Sequence, residues 1–426
     1  MTTSNVSEQA YTKGYTRYVL GLLLVVATLN YADRYMLGVL IPDIKNELGL
    51  SDSQIGFISG AAFTIVYALL GVPIAKLADT YSRKNIIAVA LFVWSTMTFL
   101  CGLAQSFLQL AVFRVLVGIG EAGCTPPSHS LISDYYPRSR RTSALAIFGL
   151  GSPIGVFIGF LIGGWITQNY GWRIALFSFG APGLIISAIL YFSLREIPRG
   201  FSDPEVKPAN TAPKVYQSFK TLWAKKTFRH MVLGGSMYGL IMVAVLIWIP
   251  SFFIRTYGME IGAVGKWLAF TNAVPHALGT LFGGYLADRL AKNGPRGPIL
   301  LCVFAQLAAA PFYTLVLLSP SANFAFGWLI IPSFIGVMQG PVIYATVQAV
   351  SDVKSRAVAA AIMILIINLI AGIIGPQLVG IISDLTAATL GTSSLAYSLL
   401  IVSTTCSIWS AIHFYLASKT IESDII

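Results

Sequence analysis

Charged residues are scarce in this sequence. Only 11% of the 426 residues are Asp, Glu, Lys or Arg, whereas 56% are hydrophobic. A soluble domain carries about 25% charged residues, and a soluble chain of this length would need two or three cores with charged exteriors. There are too few charges to cover such cores. The lipid bilayer is therefore expected to be the solvent for much of the protein surface.

Cysteine and histidine are also rare, with four of each. Cys101, Cys124, Cys302 and Cys406 all fall within or beside apolar stretches, and none belongs to a Cys-x-x-Cys pair. Buried thiols are expected here, with no disulfide and no metal site. The sequence also lacks a glycine-rich phosphate loop, a nucleophile elbow and a metal-ligand cluster. It therefore predicts no enzyme, no catalytic residue and no cofactor.

Long apolar segments dominate the chain instead. A membrane-spanning helix needs about 20 consecutive, mostly apolar residues. The first segment doubles as a targeting signal, because the polar N-terminus before it has no cleavable signal peptide. Twelve spanning helices are predicted, at residues 18–41, 53–78, 85–104, 107–133, 141–167, 172–194, 230–254, 263–287, 298–318, 324–350, 356–383 and 395–417.

The longest polar interval, residues 195–229, contains four prolines and several lysines. It predicts a cytoplasmic linker, although residues 215–228 are also compatible with an amphipathic surface helix. This interval divides the chain into an N-terminal six-helix half at 1–194 and a C-terminal six-helix half at 230–426.

The chain carries a formal charge of +11, and the basic residues are unevenly distributed. Most lie in the tails, the linker and the loops on the N-terminal side of the predicted membrane, and loops on the other side contribute only Lys45, Arg173, Arg255 and Lys266. Such a bias predicts that both termini are cytoplasmic. It indicates orientation in a membrane and argues against a nucleic-acid partner.

A weak internal repeat supports two related halves. Leu77-Ala78-Asp79 recurs as Leu286-Ala287-Asp288, and Arg138-Ser139-Arg140 is echoed by Lys354-Ser355-Arg356 about half a chain later. Together they suggest a duplicated six-helix unit whose halves rock around a midplane site.

Four charged residues lie deep in the predicted helices: Asp33, Arg34, Arg114 and Glu121. An ionisable group at bilayer depth costs about 2.5–3.5 kcal/mol on insertion scales, so it persists only when it pairs, faces water or functions. Depth along the helices predicts a pair between Asp33 and Arg114. Arg34 and Glu121 are expected to pair through side-chain reach or water.

This charge set predicts proton coupling. Burial favours the neutral form of a carboxyl group, and a nearby arginine favours the charged form. A substrate anion that engages the arginine would leave the carboxylate unpaired and ready to accept a proton. The alternative is a static pair of ion pairs that holds helix 1 to helix 4. The second half offers only neutral polar side chains and His276, which suggests an amphipathic substrate with its charged head on the first half.

Residues Gly71–Lys84 resemble the loop 2–3 signature of the major facilitator superfamily, and residues 284–289 resemble its second copy. This resemblance implies an all-α polytopic membrane protein with the major facilitator fold, in which twelve transmembrane helices form two pseudo-symmetric halves. It also implies a cytoplasmic gate or latch formed by Asp79, Arg83, Lys84, Asp288 and Arg289.

Three further motifs resemble the spinster branch of that superfamily: residues 30–35, 118–129 and 133–137. Spinster proteins are associated with the export of sphingoid lipids or lysophospholipids, and bacterial members with proton-driven transport. The resemblance implies that Asp33 and Glu121 carry proton coupling, and that Arg34 and Arg114 bind the substrate head group.

The sequence thus predicts a proton-coupled secondary transporter of lysolipid-type substrates that works by alternating access. Its expected partners are the bilayer, protons and a small amphipathic or anionic substrate, in a monomer of the bacterial inner membrane. A carrier of small organic anions remains an alternative, and so does a membrane receptor that binds without transport. A channel is disfavoured, because the buried charges lie on one half only.

Overall fold

The structure is a computed structural model, and it describes residues 12–202, 215–352 and 355–425. All regular secondary structure within these ranges is helical. The first six long helices are α1 (Lys13–Leu48), α2 (Asp52–Thr80), α3 (Arg83–Cys101), α4 (Phe107–Tyr135), α5 (138–170) and α6 (172–193). The next six are α7 (Lys226–Tyr257), α8 (261–291), α9 (Arg296–Leu317), α10 (Ala322–Ala349), α11 (356–390) and α12 (Ser394–Asp424).

Nine stretches of the described ranges are long and apolar enough to cross a membrane. Two of them each contain two helices, because glycines with positive φ interrupt the backbone at Gly171 (φ 84°) and Gly391 (φ 55°). Residues 261–291 form a further continuous helix, which carries Lys266, Asp288 and Arg289. The prediction of an all-α chain with twelve membrane-length helices is confirmed.

A glycine and several serine caps define the helix ends at the short connections. Gly49 adopts φ 65° directly after α1, a conformation that glycine tolerates at little steric cost. Ser51 then forms a capping box with Gln54 at the start of α2, which satisfies two backbone N–H groups that the first helical turn leaves unbonded. Ser82 and Ser106 cap α3 and α4 in the same way through their side-chain oxygens.

Contacts between Cα atoms divide the chain into two compact units. Unit 1 comprises residues up to Asp43 together with Ala62–Asn210, and unit 2 comprises Ile44–Ala61 together with the chain from Thr211 onward. The outer ends of α1 and α2 therefore associate with the C-terminal helices.

Part of the predicted linker is helical. Val215–Ala224 forms a helix with one buried and one exposed side, because Leu222 lies in the unit 2 core while Lys220 is exposed. This agrees with the surface-helix interpretation of that segment. Residues 203–214 and the repeat residue Lys354 lie outside the described residues.

In unit 1, small residues allow α5 to lie close against α1. A Cβ atom at Gly155 would come within 2.6 Å of the Thr28 carbonyl oxygen and 2.7 Å of Tyr31 Cβ. Such close backbone approach is the usual role of a small-residue stripe in membrane helices. The contact fixes the rotation of α1, and thereby the directions in which Asp33 and Arg34 point.

In unit 2, the outer end of α2 packs on α11 at two π-helical turns. These turns are Phe57–Ala61 and Ile370–Ile374, and a third occurs in α8 at Ala269–Ala273. A Cβ atom at Gly60 would lie 2.5 Å from the Gly372 carbonyl oxygen. Single π-turns often mark functional positions in helices, because they redirect side chains and free a backbone carbonyl group.

Substitution of Gly155 by alanine tests the α1–α5 contact. The added methyl group must displace the α1 backbone, and overpacking of this kind typically costs about 1–3 kcal/mol. We expect a lower midpoint of thermal unfolding for the detergent-solubilised protein. Gly21→Ala is the matched control, because a Cβ atom at Gly21 meets nothing within 4 Å. Equal midpoints for the two variants would contradict this packing.

Candidate functional site

An ion pair joins α1 to α4 inside unit 1. Arg34 Nη2 donates to Glu121 Oε2 at 2.5 Å. The Glu121 side chain is fully buried, and that of Arg34 is 22% exposed. The predicted pairing of these two residues is therefore direct and needs no bridging water. Removing one partner of a buried pair leaves an uncompensated charge, which is strongly unfavourable.

Aromatic rings surround the Arg34 guanidinium. Its Cζ atom lies 4.6 Å from the ring centre of Phe63, 5.1 Å from that of Tyr67 and 5.5 Å from that of Tyr31. Ring faces attract a cation within about 6 Å, and more strongly where water is excluded. The aromatic rings therefore stabilise the cation in addition to Glu121. This arrangement places an amphipathic surface around the charge.

The predicted Asp33–Arg114 pair is wrong. Asp33 Oδ2 accepts a hydrogen bond from Thr98 Oγ1 at 2.6 Å, and Arg114 lies over the Phe63 ring at 5.4 Å. Depth alone does not fix the rotation of a helix: successive residues point about 100° apart, so Asp33 faces α3 when Arg34 faces α4. Arg114 forms no ion pair with any residue in the described ranges.

Unsatisfied polar atoms concentrate in this region. Buried atoms without a hydrogen-bond partner include Asn30 Nδ2, Asp33 Oδ1, Arg34 Nε, Arg114 Nε and Nη2, and Glu121 Oε1. More than nine in ten buried polar groups in proteins are paired, so an orphaned group needs water, an ion or a ligand. The clustering of these atoms around one ion pair makes the interior of unit 1 the candidate binding site.

The predicted latch residues occupy two different environments. Arg83 is fully buried and donates to Asp134, to Glu196 Oε1 at 2.8 Å and to the Ile197 carbonyl oxygen at 2.7 Å. Lys84 Nζ donates to the Tyr191 carbonyl oxygen at 3.2 Å. The other three predicted latch residues are exposed: Asp79, Asp288 and Arg289. Arg83 is therefore engaged within unit 1, where it anchors the segment after α6.

Sequence reasoning missed a second charge network, which lies in unit 2. Arg255 on α7 donates two hydrogen bonds of 2.7 Å to the carboxylate of Asp52. The same carboxylate accepts from Lys45 Nζ at 2.5 Å and Ser383 Oγ at 2.6 Å. Asp384 accepts from the backbone N–H of Asp52 at 3.0 Å. Lys45 and Arg255 were among the few basic residues predicted on the outer side, and that scarcity was the available signal.

Unit 2 also holds a cavity lined by neutral polar groups. Asn272, Gln306 and Ser333 are buried, and Asn272 Nδ2 donates to Ser333 Oγ at 3.1 Å. His276 lines the same cavity beside apolar residues of α7. Within the described residues this matches the expectation that the second half offers polar neutral groups around His276.

Substitution of Thr98 by valine tests the environment of Asp33. It removes the donor to Oδ2 and leaves both carboxylate oxygens unpaired, a loss that typically costs about 1–3 kcal/mol. We expect a lower unfolding midpoint in detergent. Thr96→Val is the matched control, because Thr96 bonds only the Phe92 carbonyl oxygen of its own helix. In an Asp33→Ala background, which removes the acceptor, the Thr98→Val effect should shrink, and an undiminished effect would contradict the contact between the two residues.

Substitution of Asp52 by asparagine tests the unit 2 network. Removing one member of a buried ion pair typically costs about 3–5 kcal/mol, because Arg255 and Lys45 keep their charge without a carboxylate. A marked fall in the unfolding midpoint is expected. Glu422→Gln removes the exposed pair with Arg296 and is expected to change little. A similar small change in both variants would show that the Asp52 network is dispensable for stability.

Comparisons with known proteins agree with this architecture. The family model described as Major Facilitator Superfamily matches residues 23–376. An "MFS-type efflux pump" of Mycolicibacterium smegmatis is 33% identical over 406 residues, which cover 95% of this chain and 93% of that protein. A "Hexuronate transporter" of Bacillus subtilis is 26% identical, with 89% and 90% coverage.

A solved structure is also similar over nearly the whole length. It is described as a bacterial homologue of the human lysosomal transporter Spinster in an inward-facing and unoccupied conformation. The two chains share 30% sequence identity with a TM-score of 0.87, and the match covers 97% of this chain and 99% of that one. This chain therefore belongs to the Major Facilitator Superfamily, as a spinster-type member.

Proposed function

We propose that this protein is a proton-coupled secondary transporter that moves amphipathic, lysolipid-type or sphingoid-type substrates by alternating access. The observation that carries the proposal is the buried Arg34–Glu121 ion pair, enclosed by aromatic rings and surrounded by unsatisfied polar atoms. The family transports solutes and the fold works by alternating access. What we propose beyond this is the coupling ion and the class of substrate.

Competition for Arg34 supplies the coupling. In the structure Glu121 is paired with Arg34, and the guanidinium favours the charged form of the carboxyl group. A substrate anion that binds the guanidinium weakens this pair, and a fully buried carboxylate without its countercharge becomes protonated. Proton uptake by Glu121 and substrate binding by Arg34 are then linked. Asp33, held by Thr98 with one oxygen unsatisfied, is the second proposed proton carrier.

The surroundings of the pair favour an amphipathic substrate. Arg34 and Arg114 present buried N–H groups without partners, and both lie over the ring of Phe63. A phosphate or carboxylate head group matches the planar guanidinium donors. The adjacent aromatic surface suits the apolar portion of the same molecule. The spinster-type membership supports lipid-like substrates, because spinster proteins are associated with sphingoid lipids and lysophospholipids.

Opening of the outer side is proposed to require the unit 2 network to break. Asp52 ties the start of α2 to α7 and α11, although its own helix continues into unit 1. On the opposite side, Asp79, Arg83, Lys84, Asp288 and Arg289 are the proposed latch. Alternating access would then exchange one set of polar contacts for the other.

A second candidate is a transporter of small organic anions. The unpaired guanidinium atoms of Arg114 suit a carboxylate equally well, and one relative of similar length is a hexuronate transporter. Both candidates share the proton-coupled mechanism. They differ in whether transport depends on an apolar chain.

Location and partners follow from charge and composition. We propose the bacterial inner membrane, with both termini cytoplasmic because basic residues are concentrated in the loops on that side. We further propose that the protein works as a monomer in the bilayer, requires no cofactor other than the transported proton, and binds no nucleic acid.

Flux through purified protein in liposomes tests the proposal. We expect an imposed proton gradient to drive labelled lysophospholipid transport in the wild type, with rates that depend on acyl chain length. Glu121→Gln should reduce gradient-driven flux to the level of protein-free liposomes, because glutamine cannot carry the proton. Substrate exchange without a gradient should persist in that variant.

Glu422→Gln serves as the control, since Glu422 is 56% exposed in its pair with Arg296. Unchanged gradient-driven flux in Glu121→Gln would refute Glu121 as the coupling group. Accumulation of hexuronate without any lysolipid flux would discard the lipid assignment in favour of organic anions. Specific binding of either solute without flux would instead identify a receptor.

A further inference from the structure

A basic cavity lies on the surface of unit 1, away from the Arg34–Glu121 pair. It measures about 390 Å³. Lys13, Arg17, Tyr136 and Arg140 line it, together with Phe201 after α6. Three positive charges thus converge on one concave surface from α1 and α5.

The three cations form no ion pairs in the part of the chain that the structure describes. No carboxylate within those ranges lies within ion-pair distance of Lys13, Arg17 or Arg140. Asp134, which directly precedes the lining residues Tyr135 and Tyr136, accepts instead from the buried Arg83 and from the Gly200 N–H. Among the described residues, the cations that line the cavity therefore lack a bound countercharge.

Neutral donors complement the charges. The Tyr136 hydroxyl, which now donates to the Thr16 carbonyl oxygen at 3.2 Å, lies in the lining beside Arg17. Burial raises the pKa of the Tyr136 phenol, and the neighbouring Arg17 guanidinium partly offsets this effect. The phenol therefore remains protonated at neutral pH, and it would donate to a bound anion by exchanging its hydrogen bond to the Thr16 carbonyl oxygen.

Charge alone would follow from membrane orientation, because basic residues generally accumulate on the cytoplasmic side. What distinguishes this surface is its concave shape, which gathers three cations that form no ion pair among the described residues. Basic pockets between membrane helices on the cytoplasmic side bind phosphate-bearing lipid head groups, and guanidinium groups donate to phosphate oxygens in pairs. The cavity volume is far larger than one water molecule requires.

We propose that the cavity lined by Lys13, Arg17, Tyr136 and Arg140 binds the phosphate of an anionic phospholipid head group. The arginines neutralise the phosphodiester, the tyrosine hydroxyl donates to it, and Phe201 borders the glycerol portion. This site is separate from the transport site and is independent of which solute the protein carries. A bound lipid would tie the N-terminal end of α1 to the start of α5.

Native mass spectrometry of the full chain in detergent tests this site. Titration with phosphatidylglycerol gives the dissociation constant, and phosphatidylcholine serves as the zwitterionic comparison. Loss of one basic residue near a lipid surface raises the dissociation constant by roughly fivefold. Arg17→Gln combined with Arg140→Gln should therefore raise the dissociation constant for phosphatidylglycerol about thirty-fold. Phosphatidylcholine binding should change little.

Lys220→Gln combined with Lys292→Gln is the control, because it removes the same charge from two exposed residues that do not line the cavity. If both double variants weakened phosphatidylglycerol binding equally, the effect would come from general surface charge, and the proposed site would be overturned. Inorganic phosphate is added as a competitor in a separate arm. Competitive displacement of phosphatidylglycerol supports recognition through phosphate, whereas phosphate binding without any lipid binding would overturn the lipid as ligand.

Discussion

The ion pair between Arg34 and Glu121 is the constraint around which unit 1 is organised. A charge at this depth in a bilayer is tolerated only with a partner, so α1 and α4 must present these two side chains to each other. The glycines of α5 set the rotation of α1 by letting it approach closely, and the rings of Phe63 and Tyr67 enclose the cation. Helix packing and polar chemistry thus determine each other.

The same pair explains why the interior is left polar and incompletely satisfied. A static structural pair would be expected to have its remaining donors and acceptors occupied, since unsatisfied buried groups are costly. Here the orphaned atoms belong to both arginines, both acids and Asn30. Such an arrangement is suited to an exchange of partners, because the proposed substrate and proton would not first have to break a complete hydrogen-bond network.

Unit 2 contributes a different kind of chemistry. Its cavity places amide, hydroxyl and imidazole groups among mostly apolar side chains. The charge network of unit 2 lies instead at helix ends, where Arg255 and Lys45 converge on Asp52. Charge in one unit therefore lies at the proposed substrate site, and charge in the other secures the helix ends.

Sequence alone determined the class of protein, the number and order of its long helices and the four charged residues of the candidate site. Each of these depends on local composition: apolar length predicts the spans, and isolated charge predicts the site. Family motifs then placed the chain among spinster-type transporters. Tertiary structure decided which side chains these charged residues contact. Adjacent residues on one helix point in different directions, so depth suggested an Asp33–Arg114 pair, whereas helix rotation gave Asp33 to Thr98 and Arg34 to Glu121. The Asp52 network and the basic cavity draw on residues far apart in the chain, and only the packing of helices brings them together.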